Sequence, residues 1–160
     1  MPYKLLAASV LMCLVACSTV QNVSPPPVSV PSRLTENDVE LAILMGIADS
    51  AVPPKLAPRE KVTDSVLREV IDPGKNSARR QKESWYFEDR QPGIVYAGFQ
   101  ERRFYMRVAV RYDAHNVTME IVDSQGLKQS ADRIHKRAFV WLRQLEQRVR
   151  RALGALASRG

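Results

Sequence analysis

The chain has 160 residues, enough for one domain with a real core and a tether beside it. Lys and Arg number 24 against 17 Asp and Glu, and the formal net charge of +7 favours anionic partners such as lipid phosphates, lipopolysaccharide or cell-wall carboxylates. Two cysteines and two histidines leave little material for a disulfide framework or a metal centre.

The first element is a leader. Lys4 is the one positive charge of a short opening segment, residues 5–15 are apolar apart from Ser9, and a polar stretch follows at 18–24. The apolar run is shorter than the roughly 20 residues that span a bilayer, so the pattern predicts a secretion signal and not a membrane span. Its end reads Leu14, Val15, Ala16 and Cys17: branched apolar, tolerant, small, then cysteine. This set resembles the lipobox of bacterial lipoproteins. The resemblance implies that residues 1–16 are a signal peptide removed before Cys17, and that Cys17 carries diacylglycerol. A thiolate is accessible near neutral pH, which is why that nucleophile suits thioether formation. The resemblance further implies acylation of the new amino terminus by a fatty acid such as palmitate. Two or more acyl chains anchor stably, at about 0.8 kcal/mol per buried CH₂. Ser18 stands where an aspartate would imply inner-membrane retention, so the expected location is the outer membrane, with the domain facing the periplasm.

Several exclusions follow from that reading. Cys13 leaves with the signal and Cys17 is under lipid, so the mature chain keeps no thiol for a disulfide, a metal or catalysis. Loss of Lys4 takes the charge from +7 to +6, still basic. A secreted location argues against nucleic acid as a partner, and no cofactor is expected.

Residues 17–33 hold the lipidated cysteine and a stretch with Pro25, Pro26, Pro27 and Pro31 among serines and valines, which predicts an extended, semi-rigid tether. The domain is expected over 34–160. Thr35 followed by Glu36, Asn37 and Asp38 reads as an N-cap with a capping box, so a helix starts there and ends near 49–51, with Val39, Ile43, Gly46 and Ile47 on one face. Val62, Val66, Val70 and Ile71 predict a second helix within 59–71, stopped by Asp72-Pro73-Gly74. Residues 75–84 read as a polar loop.

From Trp85 the period changes to two. A short strand at 85–87, a turn at Gln91-Pro92-Gly93 and a strand at 94–99 lead into the clearest alternation of the chain. There Phe104, Met106, Val108, Val110 and Tyr112 interleave with Arg103, Tyr105, Arg107, Ala109 and Arg111. A turn at 113–116 precedes Val117, Met119 and Ile121 on a partner strand, and Asp123-Ser124-Gln125-Gly126 closes it. The expected fold is α+β: an antiparallel sheet of three to four strands packed on one face by N-terminal and C-terminal helices. The last helix, over 131–157, carries Ile134, Ala138, Trp141, Leu142, Leu145, Val149, Ala152 and Leu156 as its apolar stripe. From residue 133 onward, eight basic side chains meet the single acid Glu146. This cationic surface is either a solvated face or a contact for anionic headgroups.

Trp85, Pro92-Gly93-Ile94, the arginine-rich strand ending at Tyr112, Asp123-Ser124 with Leu127, Ile134-His135 and Trp141-Leu142 together resemble an uncharacterised family of small proteobacterial lipoproteins. The likeness covers roughly residues 39–145 and brings no activity with it. The chain departs from the pattern at Ala138 and Phe139, where the family carries Tyr-Asn, and residues 52–84 read as an insertion.

The candidate chemistry is modest. His115 and His135 have no second histidine at metal-ligand spacing, so no metal site is expected. Asp123, Ser124 and His135 fit a hydrolase less well than a turn followed by a structural histidine. Arg103, Arg107 and Arg111 lie on one side of a strand, about 6 to 7 Å apart per two residues, as a candidate anion-binding row. The competing reading is a solvated face paired to Glu101 or Glu120. The leading expectation is a non-enzymatic, lipid-anchored envelope protein that binds or scaffolds another envelope component. The second is an anion-binding module for peptidoglycan or lipopolysaccharide, and an enzyme comes third.

Overall fold

A computed structural model describes residues 24–50, 61–71, 84–126 and 131–159. Leu14, Val15, Ala16 and Cys17 lie outside the described residues, as does most of the expected insertion. In chain order the elements are β1 (Val28–Ser29), α1 (Glu36–Ala48), α2 (Asp64–Val70), β2 (Ser84–Gln91), β3 (Ile94–Glu101), β4 (Phe104–Tyr112), β5 (Asn116–Gln125) and α3 (Ala131–Ala157). The strands form one antiparallel sheet in the order β1-β5-β4-β3-β2, so the class is α+β.

The expected three to four strands become five. The added strand, β1, lies inside the stretch read as a tether: Val28 pairs with Val117 and Ser29 with Asn116. Its prolines hid it, because proline cannot donate to a ladder. An edge strand nevertheless tolerates a proline on either side. Pro27 and Pro31 flank the short ladder, Val30 N–H still donates to His115 O at 2.8 Å, and Val28 is buried.

The meander is longer than its sequence pattern. β2 runs to Gln91 and not Phe87, because a bulge between Phe87 and Asp89 leaves Glu88 unpaired. The bulge resets the alternation, sending Arg90 toward the helices and Asp89 away from them. Pro92-Gly93 supplies the next turn, and Gly93, at φ 75°, adopts the left-handed conformation that glycine takes without a Cβ clash. A second bulge opposite Arg107 and Val108 passes over Val122, so Asp123 and Ser124 continue β5 where a closing turn was expected.

The core lies on one face of the sheet. Trp85, Val95, Ala97, Phe99, Met106, Val108, Val110, Val117 and Met119 point to that side and share one buried cluster with α1 and α3. The capping box forms: Asp38 N–H donates to Thr35 Oγ1 at 3.4 Å and Thr35 N–H to Asp38 Oδ2 at 2.8 Å. On α3 the stripe from Ala138 to Leu156 is buried; the side chain of Ile134 lies outside those described. Trp141 stacks on Phe99 with centroids 4.4 Å apart and tilts against Phe104 at 4.7 Å, fixing α3 to the β3–β4 end of the sheet. α2 covers 64–70, shorter than expected.

Candidate functional site

The face of the sheet opposite α1 and α3, which no helix covers among the described residues, gathers polar and aromatic side chains from three strands. Registers place Tyr86 beside Gly98, Gly98 beside Arg107, and Tyr96 beside Ala109 on this side. Gly98 makes the arrangement possible. A Cβ there would stand 2.3 Å from Tyr86 Cζ and 2.5 Å from Glu88 Oε1, so both side chains lie down across the missing side chain. The bulged Glu88 then reaches β4. Its Oε1 accepts from the Tyr105 hydroxyl at 2.8 Å, and Oε2 stands 2.8 Å from Arg107 Nε. That second contact is ionic only, since Nε has no hydrogen bond of proper geometry. The Arg107 guanidinium also sits over the Tyr96 ring at 4.4 Å, a cation–π contact. Burial first, then the Glu88 hydrogen bond and charge, push the Tyr105 hydroxyl up to about 12.

The three candidate arginines occupy different settings. Arg103 is not on a strand; with Arg102 at φ 51° it forms the exposed two-residue β3–β4 turn. β4 therefore begins one residue after Arg103, and the row expected along it keeps two members, Arg107 and Arg111. Arg107 is held between Glu88 and Tyr96. Arg111 is half-exposed, and its Nε lies 4.0 Å from Glu120 Oε2, the cross-strand partner expected for this face. The carboxylate beside Arg107 is that of Glu88. Only the bulge brings Glu88 into reach, so the alternation of the sequence carried no sign of it.

A second polar cluster lies on the helix side. Arg90 Nη1 donates to Glu40 Oε1 at 2.9 Å and to Val62 O at 2.8 Å, while Nη2 donates to Asp64 Oδ1 at 3.1 Å. One guanidinium thus ties β2 to α1 and to the start of α2. The Tyr112 hydroxyl joins it. Burial, then the charge and hydrogen bond of Glu40, push this hydroxyl up to about 12 against the opposing pull of Gly93 and Arg90. This cluster is a structural clasp, and sequence reading missed it because Arg90 points inward only after the bulge.

His115 sits in the β4–β5 turn, where its N–H and that of Asn116 donate to Asp113 Oδ1 at 2.6 and 2.8 Å. Those two bonds hold the Asp113 carboxyl below its usual range. The side chain of His135 lies outside those described. Among the described residues no three His, Cys, Asp or Glu side chains converge as metal ligands would. No family model, curated protein or solved structure matches the chain.

Proposed function

We propose that the protein is a lipid-anchored outer-membrane lipoprotein, tethered through acylated Cys17, whose domain binds or scaffolds another envelope protein without catalysis. The lipobox Leu14-Val15-Ala16-Cys17 supports the anchoring. One observation supports binding: the sheet face opposite the helices presents Tyr86, Tyr96, Tyr105, Glu88 and Arg107, held in place by contacts with one another. Tyr and Arg are the side chains that protein interfaces favour, because they offer large contact area with a polar tip. Reactive chemistry suits the cluster less. A general acid or base must exchange a proton near the working pH, yet Glu88 is engaged by two partners and the Tyr105 hydroxyl keeps its proton up to about 12.

The second reading, an anion-binding module for peptidoglycan or lipopolysaccharide, draws on Arg111 and the Arg102-Arg103 turn. Arg111 is half-exposed and its 4.0 Å contact with Glu120 is loose, which leaves it able to turn to an anionic ligand.

Photo-crosslinking in intact cells tests the first reading. A crosslinker at Gln100 or Thr118, both exposed on the open face, is expected to give a discrete protein adduct that Arg107→Ala abolishes. The same group at Gln147 on α3 should give none. Absence of an adduct from both sheet positions would overturn the assignment. If Arg103→Glu, Arg107→Glu and Arg111→Glu together remove retention on purified peptidoglycan with circular dichroism unchanged, the second reading replaces the first. Fatty-acid labelling must disappear in Cys17→Ala, and continued labelling would end the anchoring claim.

A further inference from the structure

We infer that the solvent face of α3 is a contact surface for anionic phospholipid headgroups. The inference rests on the lipid anchor proposed above.

Lys136, Arg137, Arg143, Arg150 and Arg151 border one exposed arc of α3, and Val140, 64 % exposed, sits within it. At 1.5 Å per residue the arc from Lys136 to Arg151 is about 22 Å long. Among the described side chains no carboxylate lies on the arc itself, and three lie at its margins. Glu146 is 2 % exposed and accepts from both Arg143 and Arg150, the latter at 2.8 Å. One buried negative charge therefore fixes two guanidiniums and leaves their combined charge positive. Asp49 stands 3.5 Å from Arg148 Nε and 3.8 Å from Arg151 Nη2, and Glu101 lines the shallow groove beside Lys136 and Arg137. Six cations thus face three carboxylates, and the surplus lies on the exposed side. An exposed valine amid lysine and arginine is the composition of a surface that rests at the headgroup boundary.

The chain's attachment points the same way. The tether expected over 17–33 is partly consumed by the fold: Pro25 is buried and Val28 is paired. Only residues 18–23 separate Cys17 from Ser24, where the described chain begins, and that is at most about 25 Å of extended chain. A domain so close to its acyl chains meets the bilayer at high effective concentration, so weak contacts suffice to orient it. Each basic side chain near an anionic surface strengthens binding by about fivefold, and this gain fades as salt screens it.

The test uses the full mature chain carrying Cys17→Ser, so that no acyl chain contributes, and sedimentation with vesicles. Binding is expected to vesicles of phosphatidylglycerol with phosphatidylethanolamine, to be lost at high salt, and to be absent with phosphatidylcholine alone. Lys136→Glu, Arg137→Glu and Arg151→Glu together should weaken it at least about 100-fold, and Arg151→Gln alone about fivefold. Equal binding to both vesicle types, or full binding by both variants, overturns the inference. So does preferential retention on purified peptidoglycan. Fatty-acid labelling of the natural chain reports separately on the anchor: loss of labelling with vesicle binding intact sinks the anchor and leaves the surface assigned.

Discussion

Gly46 of α1 and Val149 of α3 set the distance between the two helices: a Cβ on Gly46 would stand 2.8 Å from Val149 Cγ2, 3.1 Å from its N and 3.3 Å from its Cα. Both residues are fully buried. In an exposed helix Gly→Ala gains up to about 1 kcal/mol. Here the methyl group meets backbone as well as side chain, so α1 and α3 must move apart, and overpacking costs about 1–3 kcal/mol. Gly46→Ala is expected to lower the urea midpoint, and Gly46→Leu to prevent folding. Adding Val149→Ala to Gly46→Ala should recover little, because two of the three close atoms belong to the backbone. A midpoint raised by Gly46→Ala would show that the helices are free to separate.

Arg90 closes the other side of the molecule. Its side chain is 24 % exposed and Glu40's is 15 %, so much of the pair is sheltered from water, while Asp64 at 83 % contributes little. Arg90→Ala leaves Glu40 and the Val62 carbonyl without that donor, and a loss of about 2–4 kcal/mol is expected in urea unfolding. Arg90→Lys keeps the charge but not the fork that reaches several acceptors, so its loss should fall between. Equal stability of Arg90→Lys and wild type would mean that charge alone matters at this position.

What the sequence carried well was local. Thr35 and Asp38 form a capping box because cap and acceptor are three residues apart, and the Phe104 to Tyr112 alternation needs only the geometry of one strand. What it carried poorly depended on single-residue slips in the ladder. The bulge at Glu88 decides both candidate clusters, sending Glu88 to Tyr105 and Arg107 on one face and Arg90 to Glu40 on the other. Arg90 and Glu40 are 50 residues apart, so no local pattern couples them. β1 was hidden by a composition that reads as linker, because its apolar residue count is small and its pairing partner lies at the far end of the meander.

The clasp at Tyr112 has a pH signature. Its hydroxyl rises from the ordinary 10 to about 12 in the folded protein, so the native state holds the proton more tightly than the unfolded chain. Such a group contributes stability fully below pH 10, and the contribution disappears as pH rises from 10 to 12. Stability should therefore fall across that window in wild type, with a shallower fall in Tyr112→Phe, because the titrating group is gone. Lysines titrate nearby in both proteins and cancel in the comparison. Urea midpoints at pH 9 and pH 11.5, with tyrosinate absorbance followed in parallel, measure the difference. Identical pH slopes for the two proteins would remove Tyr112 from this role.

The strand inside the apparent tether makes the remaining test. If residues 24–30 were only a spacer, substitution of Val28 would leave stability untouched. Val28 is 2 % exposed, paired to Val117 and part of the main core cluster, whereas its neighbour Ser29 is exposed. Val28→Ala removes buried apolar surface and is expected to cost about 1.5–3 kcal/mol. Val28→Asp should cost more, because the carboxylate loses its hydration among apolar neighbours. Ser29→Ala should change little. Hydrogen exchange gives an independent readout: the Val30 amide, bonded to His115 O at 2.8 Å, should be protected in wild type and exchange faster in Val28→Asp. Protection at Val30 would show that the fold begins before residue 30, and that the span left to reach the bilayer is correspondingly short. Fast exchange at Val30 in wild type, with no stability change in Val28→Ala, would return these residues to the tether and lengthen the reach of the domain from Cys17.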